Sequence, residues 1–350
     1  WMRPASKRIN HETSVMPKIL ILYTGGTIGM LPSAQGYVPA AGFAQRLAER
    51  LGHQAASDLP TWDLIERERL IDSADLQPAD WLGIAQELVR HWEAYDGFVV
   101  LHGTDTLAYT ASALSFMLRG LDKPVILTGA QIPLCELRND ALDNLLTSLM
   151  IAGHYPVPEV CVCFHGQLLR GNRTVKRDSM ALAAFASPNF PPLGEIGIQV
   201  RLREALLLAP STPDFQLPTF DPEAVTLLPV YPGLSVRVLE ALLDSDAVRA
   251  LLLLSYGAGN PPAGHQALMQ RLERASADGI VVVNLTQCLQ GRVQQGAYAT
   301  GAALNRIGVV PGADLTREAA FAKLHCLLGA GFGPVQVREQ LPQPWCGECT

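Results

Sequence analysis

The amino-acid sequence predicts an α/β protein with a larger N-terminal domain, built on a mostly parallel doubly wound sheet, and a smaller α/β C-terminal domain. Three observations support this fold class. Short aliphatic runs alternate with helical stretches, as in a parallel sheet covered by helices. A proline-rich segment at residues 206–225 interrupts the alternation and indicates a linker. The first aliphatic run leads directly into two glycines and a threonine, an arrangement typical of the carboxyl edge of such a sheet.

The larger domain is expected at residues 16–205. Its aliphatic runs predict strands at residues 19–23, 98–101, 125–128 and 160–164. A helix is expected over residues 78–95, because a proline suits its first turn and large apolar side chains recur at helical spacing. Two more helices are expected at residues 106–118 and 138–151.

The smaller domain is expected at residues 226–340, where the alternation resumes after the linker. Strands are predicted at residues 225–230, 250–254 and 280–284. Helices are predicted at residues 235–243, 264–275 and 316–328. No internal repeat of fixed period accompanies the two domains.

The composition argues against several classes of protein. The chain has 350 residues, 17% of them charged, and a formal net charge of −6 without any run of lysine or arginine. This pattern argues against a nucleic-acid surface. The longest apolar stretches are strand-length and far too short to span a membrane, and residues 1–15 lack the apolar core of a secretory signal. We therefore expect neither a nucleic-acid partner nor a membrane partner.

The seven cysteines are scattered, mostly among apolar residues, which indicates reduced thiols in a cytoplasmic protein. Cys346-Gly347-Glu348-Cys349 has a spacing found in metal and redox sites, but no second pair accompanies it. It also lies at the extreme end of the sequence, where disorder is common. We therefore expect an incidental tail there. No HExxH motif supports a catalytic metal elsewhere, and no cofactor is expected.

Four polar stretches lie at the ends of predicted strands or in the loops after them and could carry chemistry. They are Thr24-Gly25-Gly26-Thr27, Asp72-Ser73-Ala74-Asp75, His102-Gly103-Thr104-Asp105-Thr106 and Gly171-Asn172-Arg173-Thr174-Val175-Lys176. Taken alone, each has a structural explanation as a tight turn, a helix cap, a loop turn or a solvated lysine.

Taken together, these stretches fit nucleophilic catalysis by a threonine. A threonine hydroxyl is a poor nucleophile at neutral pH and needs a neighbouring base or hydrogen-bond partner. A second threonine, a carboxylate, a lysine and a tyrosine in a glycine-containing loop could supply such partners: Thr104, Asp105, Lys176 and Tyr37. A Ser-His-Asp site would need a Gly-x-Ser-x-Gly elbow that the sequence lacks, and His102 is expected to be structural.

Two of these motifs resemble the signature sequences of bacterial-type L-asparaginases, namely Tyr23-Thr24-Gly25-Gly26-Thr27-Ile28-Gly29 and His102-Gly103-Thr104-Asp105-Thr106. Further stretches resemble the cytoplasmic, type I branch of that family, among them residues 105–116, 123–134, 186–189, 255–260 and 283–288. The resemblance spans about residues 17–330. It implies hydrolysis of L-asparagine to L-aspartate and ammonia through an acyl-enzyme intermediate.

The resemblance also implies which threonine attacks. By position in the motif it makes Thr27, rather than Thr24, the nucleophile, and it makes Tyr37 the residue of a mobile loop that pairs with Thr27. It places Asn260 near the active site of a neighbouring subunit. The working unit would then be a homo-oligomer, either a dimer or a tetramer.

The groups around the substrate are implied in the same way. Thr104, Asp105 and Lys176 match a second catalytic set, and Thr104 and Asp105 also match substrate-binding positions. The carboxylate of Asp105 would pair with the ammonium of asparagine. Asp72 and Ser73 match residues that hold the α-groups, with Ser73 and backbone N–H groups on the carboxylate. Turn N–H groups near Thr104 could serve as oxyanion donors.

Two positions depart from relatives that carry a second, regulatory asparagine site. Those relatives tend to have threonine before the catalytic lysine and arginine before Ser-Tyr-Gly, where this sequence has Val175 and Leu254. Cys288 still matches the pattern. Because an apolar side chain cannot hydrogen-bond a zwitterion, we expect weak or absent activation by asparagine.

Three other functions stay open at this point. A glutaminase-asparaginase of broad specificity would accept one more methylene, worth only roughly 1–3 kcal/mol of discrimination. An amidotransferase subunit that releases ammonia for aminoacyl-tRNA fits less well, because no extra N-terminal domain or basic face is evident. A non-catalytic asparagine-binding sensor would not need the combination of Thr27, Thr104, Asp105 and Lys176.

Overall fold

The computed structural model describes residues 16–51, 59–296 and 299–350. Within these residues the chain forms two large sheets with helices on their faces, which confirms the predicted α/β fold class. No described helix is long and apolar enough to cross a membrane. The expectation about residues 1–15 lies outside the described residues.

Strands and helices alternate along the described chain. The strands are β1 (Lys18–Gly25), β2 (Leu31–Ser33), β3 (Gly36–Val38), β4 (Thr61–Ile71), β5 (Gly97–Leu101), β6 (Leu118–Arg119), β7 (Val125–Thr128), β8 (Val160–Phe164), β9 (Gln167–Arg170), β10 (Val175–Lys176), β11 (Phe185–Ala186), β12 (Gly194–Ile196), β13 (Val200–Leu202), β14 (Asp214–Phe215), β15 (Val225–Pro229), β16 (Ala250–Ser255), β17 (Val281–Thr286) and β18 (Val310–Pro311). The helices are α1 (Phe43–Leu51), α2 (Pro78–Arg90), α3 (Leu107–Met117), α4 (Ala141–His154), α5 (Val236–Leu243), α6 (Gln266–Ala277), α7 (Ala299–Arg306), α8 (Arg317–Gly329) and α9 (Pro334–Gln340).

The first sheet has eight strands in the order β13-β12-β9-β8-β7-β5-β1-β4. Strands β4, β1, β5, β7 and β8 run parallel, and β9, β12 and β13 pair antiparallel at the other edge. Since β4 lies on one side of β1 and β5 on the other, the direction of winding reverses between β1 and β5. In open α/β sheets, ligands bind at such a switch point, outside the carboxyl ends of the strands.

Strand β1 forms where aliphatic residues run without interruption and are buried on both sides. Leu20 and Leu22 enter the apolar cluster that includes α2 and α3. Ile19 and Ile21 enter the opposite cluster, which includes α1 and α4. Because successive side chains of a strand point to opposite faces, a doubly covered strand is apolar throughout.

The edge strand β4 is absent from the predicted elements. Its sequence contains five charged residues in eleven positions and most of its side chains are only partly buried or exposed. An edge strand that is largely exposed does not need a continuous run of apolar residues. A search for such runs therefore does not predict β4.

The second sheet has the order β15-β16-β17-β18, and all of its pairs are parallel. Its central strands β16 and β17 agree with the predicted strands at residues 250–254 and 280–284 to within two residues at either end. Both are almost entirely buried, as expected for aliphatic strands with helices on both faces.

Helix α8 joins the two halves of the structure. Its Phe321 and His325 lie edge-on against Trp81 of α2, with ring centroids 6.2 and 5.9 Å apart. Burial among these rings lowers the pKa of His325 to about 4. One apolar cluster therefore contains side chains from both sheets.

The segment expected to be a linker, residues 206–225, makes specific contacts with the first half. Its strand β14 pairs with β6, and the ring of Phe215 lies edge-on against Trp92 with centroids 5.0 Å apart. These contacts hold the segment against the part of the chain that carries the first sheet.

Candidate active site

The four polar motifs of the N-terminal half meet at the carboxyl edge of the first sheet, beside its switch point. Thr27 follows β1, Ser73 follows β4 and Thr104 follows β5. Lys176 ends the short strand β10 and reaches Thr104 with its side chain. The topology thus brings four separate sequence motifs to one edge.

The two threonines of the first motif have different environments. Thr24 is buried, and its hydroxyl donates to the Leu101 carbonyl at 2.8 Å, which ties the end of β1 to β5. Thr27 is half-buried and begins the 3₁₀ turn Thr27–Gly29. No hydrogen bond within the described chain engages its hydroxyl. Thr24 therefore shapes the turn, and the Thr27 hydroxyl remains available to a ligand.

Glycines allow the loops after β1, β4 and β5 to touch. Gly26 has a φ of 84°, and a Cβ added there would lie 2.3 Å from the Gly103 amide nitrogen. A Cβ on Gly103 would lie 2.4 Å from Ser73 Oγ. Both spaces are already filled, so any larger residue would push the loops apart.

Lys176 completes the second threonine motif. Its Nζ donates to Thr104 Oγ1 and to Asp105 Oδ1, each at 2.8 Å. The Thr104 hydroxyl in turn donates to Gln131 Oε1 at 3.1 Å. Thr104 is buried, whereas the Asp105 side chain is 61% exposed. The structure therefore brings Thr104, Asp105 and Lys176 together and leaves the carboxylate accessible.

Asp72 and Ser73 lie beside this set. The exposed Asp72 carboxylate caps the 3₁₀ turn Ser73–Asp75 by accepting the Ala74 N–H at 3.1 Å. Ser73 is buried, and its carbonyl accepts the Thr106 hydroxyl at 2.7 Å. These bonds hold the Ser73 hydroxyl against Gly103.

His102 has the structural role expected for it. Its Nδ1 lies 2.7 Å from the Gly103 carbonyl, which can only accept, so Nδ1 carries the proton. Its Nε2 then accepts the Thr110 hydroxyl at 2.9 Å. Burial lowers the pKa of His102 to about 4, and the ring is neutral at physiological pH.

The structure does not pair Tyr37 with Thr27. Tyr37 lies in the hairpin of β2 and β3, is 47% exposed and donates to Glu136 at 2.5 Å. This hydrogen bond raises the pKa of Tyr37. The hairpin strands pair with each other and not with either large sheet, so sheet geometry does not hold the tyrosine at the switch point.

Asn260 differs from the other candidates in its place in the fold. It lies in the turn after β16 of the second sheet, where its backbone bridges to Tyr256. Among the described residues, no group of three or more histidine, cysteine, aspartate or glutamate side chains could hold a metal ion.

Two residues of this region are not among the predicted ones. Gln131 accepts from Thr104 and donates from Nε2 to the carbonyls of Ser179 and Ala181 at 3.3 and 3.2 Å. Its position just after β7, at the same sheet edge, is a signal that sequence reasoning could use. Glu136, the partner of Tyr37, has no comparable signal because only the tertiary structure brings it to the hairpin.

A doubly wound sheet that carries two threonine loops and a lysine at its switch point is the arrangement of an α/β enzyme. Comparison with protein families then identifies the family. The family model "Asparaginase, N-terminal" matches residues 18–207, and "Glutaminase/Asparaginase C-terminal domain" matches residues 224–341. The chain belongs to the asparaginase family, as the sequence motifs predicted.

Individual relatives resemble the chain over nearly its whole length. L-asparaginase 1 of Escherichia coli (strain K12) is 47% identical over 95% of this chain and 98% of that protein. The L-asparaginase of Thermococcus kodakarensis is 35% identical over 95% of this chain and 99% of that protein. The crystal structure of L-asparaginase I from Vibrio cholerae O1 biovar eltor matches with a TM-score of 0.89 and 44% identity, covering 96% of this chain and all of that one.

Proposed function

We propose that the protein hydrolyses L-asparagine to L-aspartate and ammonia, with Thr27 as nucleophile and an aspartyl ester as intermediate. Membership of the asparaginase family supports this reaction. The observation that carries the proposal for the site is the backbone contact between Gly26 and Gly103, which sets two threonine-bearing loops side by side. The Thr27 hydroxyl and Thr104, which accepts a hydrogen bond from Lys176, then border the same crevice.

The charges around this crevice suit the α-groups of an amino acid. The Asp105 carboxylate is paired with Lys176 yet mostly exposed, so it is available to the substrate ammonium. We assign the Ser73 hydroxyl and the N–H groups of the adjoining turns to the substrate carboxylate. Asp72, bonded to the Ala74 N–H, supplies a second acceptor beside them.

The reaction divides into two acyl transfers. In the first, Thr27 Oγ1 bonds to the side-chain amide carbon, the C–N bond breaks, and the hydroxyl proton leaves with ammonia. In the second, a water oxygen bonds to the same carbon, the ester C–O bond breaks, and a proton returns to Thr27. We assign these proton transfers to Thr104 and Lys176, because Lys176 Nζ lies 2.8 Å from Thr104 Oγ1. This chemistry requires no cofactor.

Tyr37 is assigned to a hairpin that closes over the bound substrate. The hairpin of β2 and β3 pairs only with itself among the described strands, and Tyr37 is held at its outer position by Glu136. On closure, Tyr37 would exchange Glu136 for Thr27 and assist the nucleophile as a hydrogen-bond partner.

The protein is further proposed to work as a homo-oligomer, either a dimer or a tetramer, in the cytoplasm. The place of Asn260 in a turn of the second sheet is compatible with a contribution to a neighbouring subunit's site. The seven cysteines are all free thiols, which fits a reducing compartment.

Ammonia release by the purified protein tests the proposed function. We expect rapid release from asparagine, much slower release from glutamine, and almost none from the Thr27→Ala variant. Comparable rates with both amides would support a glutaminase-asparaginase instead. Asparagine binding without release from either amide would support a sensor, and release only in the presence of aminoacyl-tRNA would support an amidotransferase subunit.

A further inference from the structure

Residues 345–350, here called the strap, are packed into the structure and are not an incidental tail. Glu348 is completely buried and Cys349 is 7% exposed. Two cations contact the Trp345 ring, with Lys323 Nζ and the Arg119 guanidinium each 5.0 Å from its centroid. This short segment with two cysteines therefore has a defined site in the fold.

A buried ion pair holds the middle of the strap. Lys323 Nζ of α8 lies 2.5 Å from Glu348 Oε1, and neither side chain is exposed to solvent. The same carboxylate accepts the backbone N–H groups of Trp345 and Cys346, at 2.9 Å or slightly more. A buried ion pair is tolerated only when its remaining hydrogen-bonding groups are satisfied. The two backbone N–H groups meet this requirement for the Glu348 carboxylate.

The strap also contacts the turn that leads to the catalytic lysine. The buried Arg173 donates from Nε to the Gly347 carbonyl at 2.7 Å, and Asn172 donates to the Cys346 carbonyl at 3.0 Å. Gly347 has a φ of 78°, and a Cβ there would lie 2.4 Å from Arg170 Nη1. Only glycine fits this close approach without a shift of the arginine.

Asp314 of the second half completes the connection. It accepts Arg173 Nη1 at 2.7 Å, the Thr350 N–H at 2.9 Å and the Thr350 hydroxyl at 2.7 Å. Burial opposes its charge, but the hydrogen bonds from Thr350 and Arg173 outweigh burial and lower the pKa of Asp314. Arg173 is thus held from two sides, by the strap and by Asp314.

A short bonded path runs from Arg173 to Lys176. Thr174 is fully buried, and its hydroxyl donates to the Arg170 carbonyl at 2.7 Å. Val175 and Lys176 then form β10, paired with β11, and Lys176 Nζ ends on Thr104. A displacement of the Arg173 turn would therefore move the base of the Lys176 side chain.

We propose that the strap positions Lys176 for proton transfer by holding the Arg173 turn between Gly347 and Asp314. The inference rests on the proposed function, because it takes Lys176 to act in amide hydrolysis. The strap residues are positioning residues, since they act on the substrate only through Lys176.

The variant Glu348→Gln tests this role because it keeps the shape of the strap and leaves the Lys323 ammonium buried without its counter-ion. We expect kcat for asparagine to fall about tenfold or more and KM to change less than about threefold, because the groups assigned to the substrate lie on other loops. The added substitution Lys323→Met removes the unpaired charge, and kcat should recover toward the wild-type value.

The thiols of Cys346 and Cys349 report the position of the strap. Cys349 is buried and Cys346 partly buried, and burial raises the pKa of both thiols, so both should react slowly while the strap is bound. In the native protein a thiol reagent should label the exposed Cys135 and Cys288. Glu348→Gln should add Cys346 and Cys349, while the remaining buried cysteines stay protected and show that the fold is intact.

A general loss of stability needs a matched control. Leu272→Ala creates a cavity in a separate apolar cluster around α6 and leaves the strap untouched. It should keep the wild-type kcat wherever the protein is folded. A loss of kcat equal to that of Glu348→Gln would overturn the positioning role.

Two further outcomes are decisive. If Cys346 and Cys349 are labelled in Glu348→Gln while kcat is unchanged, the inference is overturned. That result would show that release of the strap has no effect on Lys176. A folded protein lacking residues 345–350 with the wild-type kcat would overturn it as well. Wild-type protein that releases no ammonia would instead refute the proposed function, and the inference with it.

Discussion

Lys176 Nζ lies 2.8 Å from Thr104 Oγ1 although 72 positions separate the two residues in sequence. The Thr104 hydroxyl accepts from the lysine and donates to Gln131, so both its proton and a lone pair have fixed directions. For the proton transfer that we propose, a hydroxyl held in this way is oriented before the substrate arrives, which would lower the entropic cost of the reaction.

The nucleophile is tested by Thr27→Ala. We expect kcat to fall about a thousandfold or more, because no ester can form, with asparagine affinity nearly unchanged. The fold should be unaffected, since the Thr27 hydroxyl makes no hydrogen bond in the described residues. Ammonia release and calorimetric titration with asparagine measure the two effects.

Thr24→Val is the matched control for that variant. It removes the buried bond to the Leu101 carbonyl and should lower the free energy of unfolding by roughly 1–3 kcal/mol. The Thr27 hydroxyl, the proposed nucleophile, remains, so activity per folded molecule should persist. Wild-type turnover by Thr27→Ala, or its loss in a folded Thr24→Val protein, would reverse the assignment of the two threonines.

The role of Lys176 is tested by Lys176→Met, which keeps most of the length of the side chain but removes its ammonium. We expect kcat to fall about 10²- to 10⁴-fold, the usual contribution of a group that transfers protons. KM should change less, since Asp105 remains available to the substrate ammonium. Steady-state kinetics with asparagine measure both parameters.

Lys123 supplies a control lysine outside the site. Its Nζ donates to the carbonyls of Trp92 and Tyr95 at 2.9 and 3.0 Å. Lys123→Met should therefore lower stability and leave kcat close to wild type. Equal losses of kcat in the two methionine variants would show that Lys176 acts through stability alone.

The sequence was sufficient for the parts of the fold that depend on local pattern. The buried strands β1, β5 and β7 carry aliphatic runs, and Thr27 and Thr104 follow two of them directly, so their meeting at one edge could be inferred. The edge strand β4 could not be inferred, because its sequence contains the charged run Glu66-Arg67-Glu68-Arg69 and most of its side chains are partly buried or exposed.

Other features depend on contacts between distant residues and have no local signal. Tyr37 is placed by Glu136, 99 positions away, and not by Thr27. Glu348 is buried where Lys323, 25 positions earlier, supplies its counter-charge. A charged residue near the end of a sequence is ordinarily solvated, and only the folded chain shows the exception.

The buried His102 and His325 predict that the fold loses stability in acid. Burial lowers the pKa of His102 and of His325 to about 4, whereas an unfolded histidine titrates near 6.5. Between these pH values the unfolded chain binds more protons, so stability is fully present above pH ~6.5 and is lost as the pH falls toward 4. The two histidines together contribute a slope of the free energy of unfolding against pH that approaches about 2.7 kcal/mol per pH unit.

Urea unfolding at a series of pH values measures this slope. His325→Phe keeps an aromatic ring against Trp81 and removes one titrating group, so the histidine contribution to the slope should be about halved. A free energy of unfolding that does not change between pH 7 and pH 5 would contradict the prediction.

Regulation by asparagine is expected to be weak or absent. Val175 and Leu254 border a cavity of about 140 Å³ that also includes Cys288, and both apolar side chains are 7% exposed. Two charged groups of the cavity are already paired with each other, since Arg317 donates to Glu318 at 2.8 Å. A zwitterion bound there would gain no hydrogen bond from Val175 or Leu254, so the rate should rise hyperbolically with asparagine, with a Hill coefficient near one.

The double variant Val175→Thr/Leu254→Arg gives that prediction a positive control. It adds a hydroxyl and a cation to the cavity, and Val175 directly precedes Lys176. A ligand held at these positions could therefore shift the lysine and make the rate curve sigmoidal. Sigmoidal kinetics in the double variant alone would assign the lack of regulation to these two side chains. A clearly sigmoidal curve for the wild-type protein would contradict the prediction, because it would require asparagine to bind a second site despite the apolar residues at both positions.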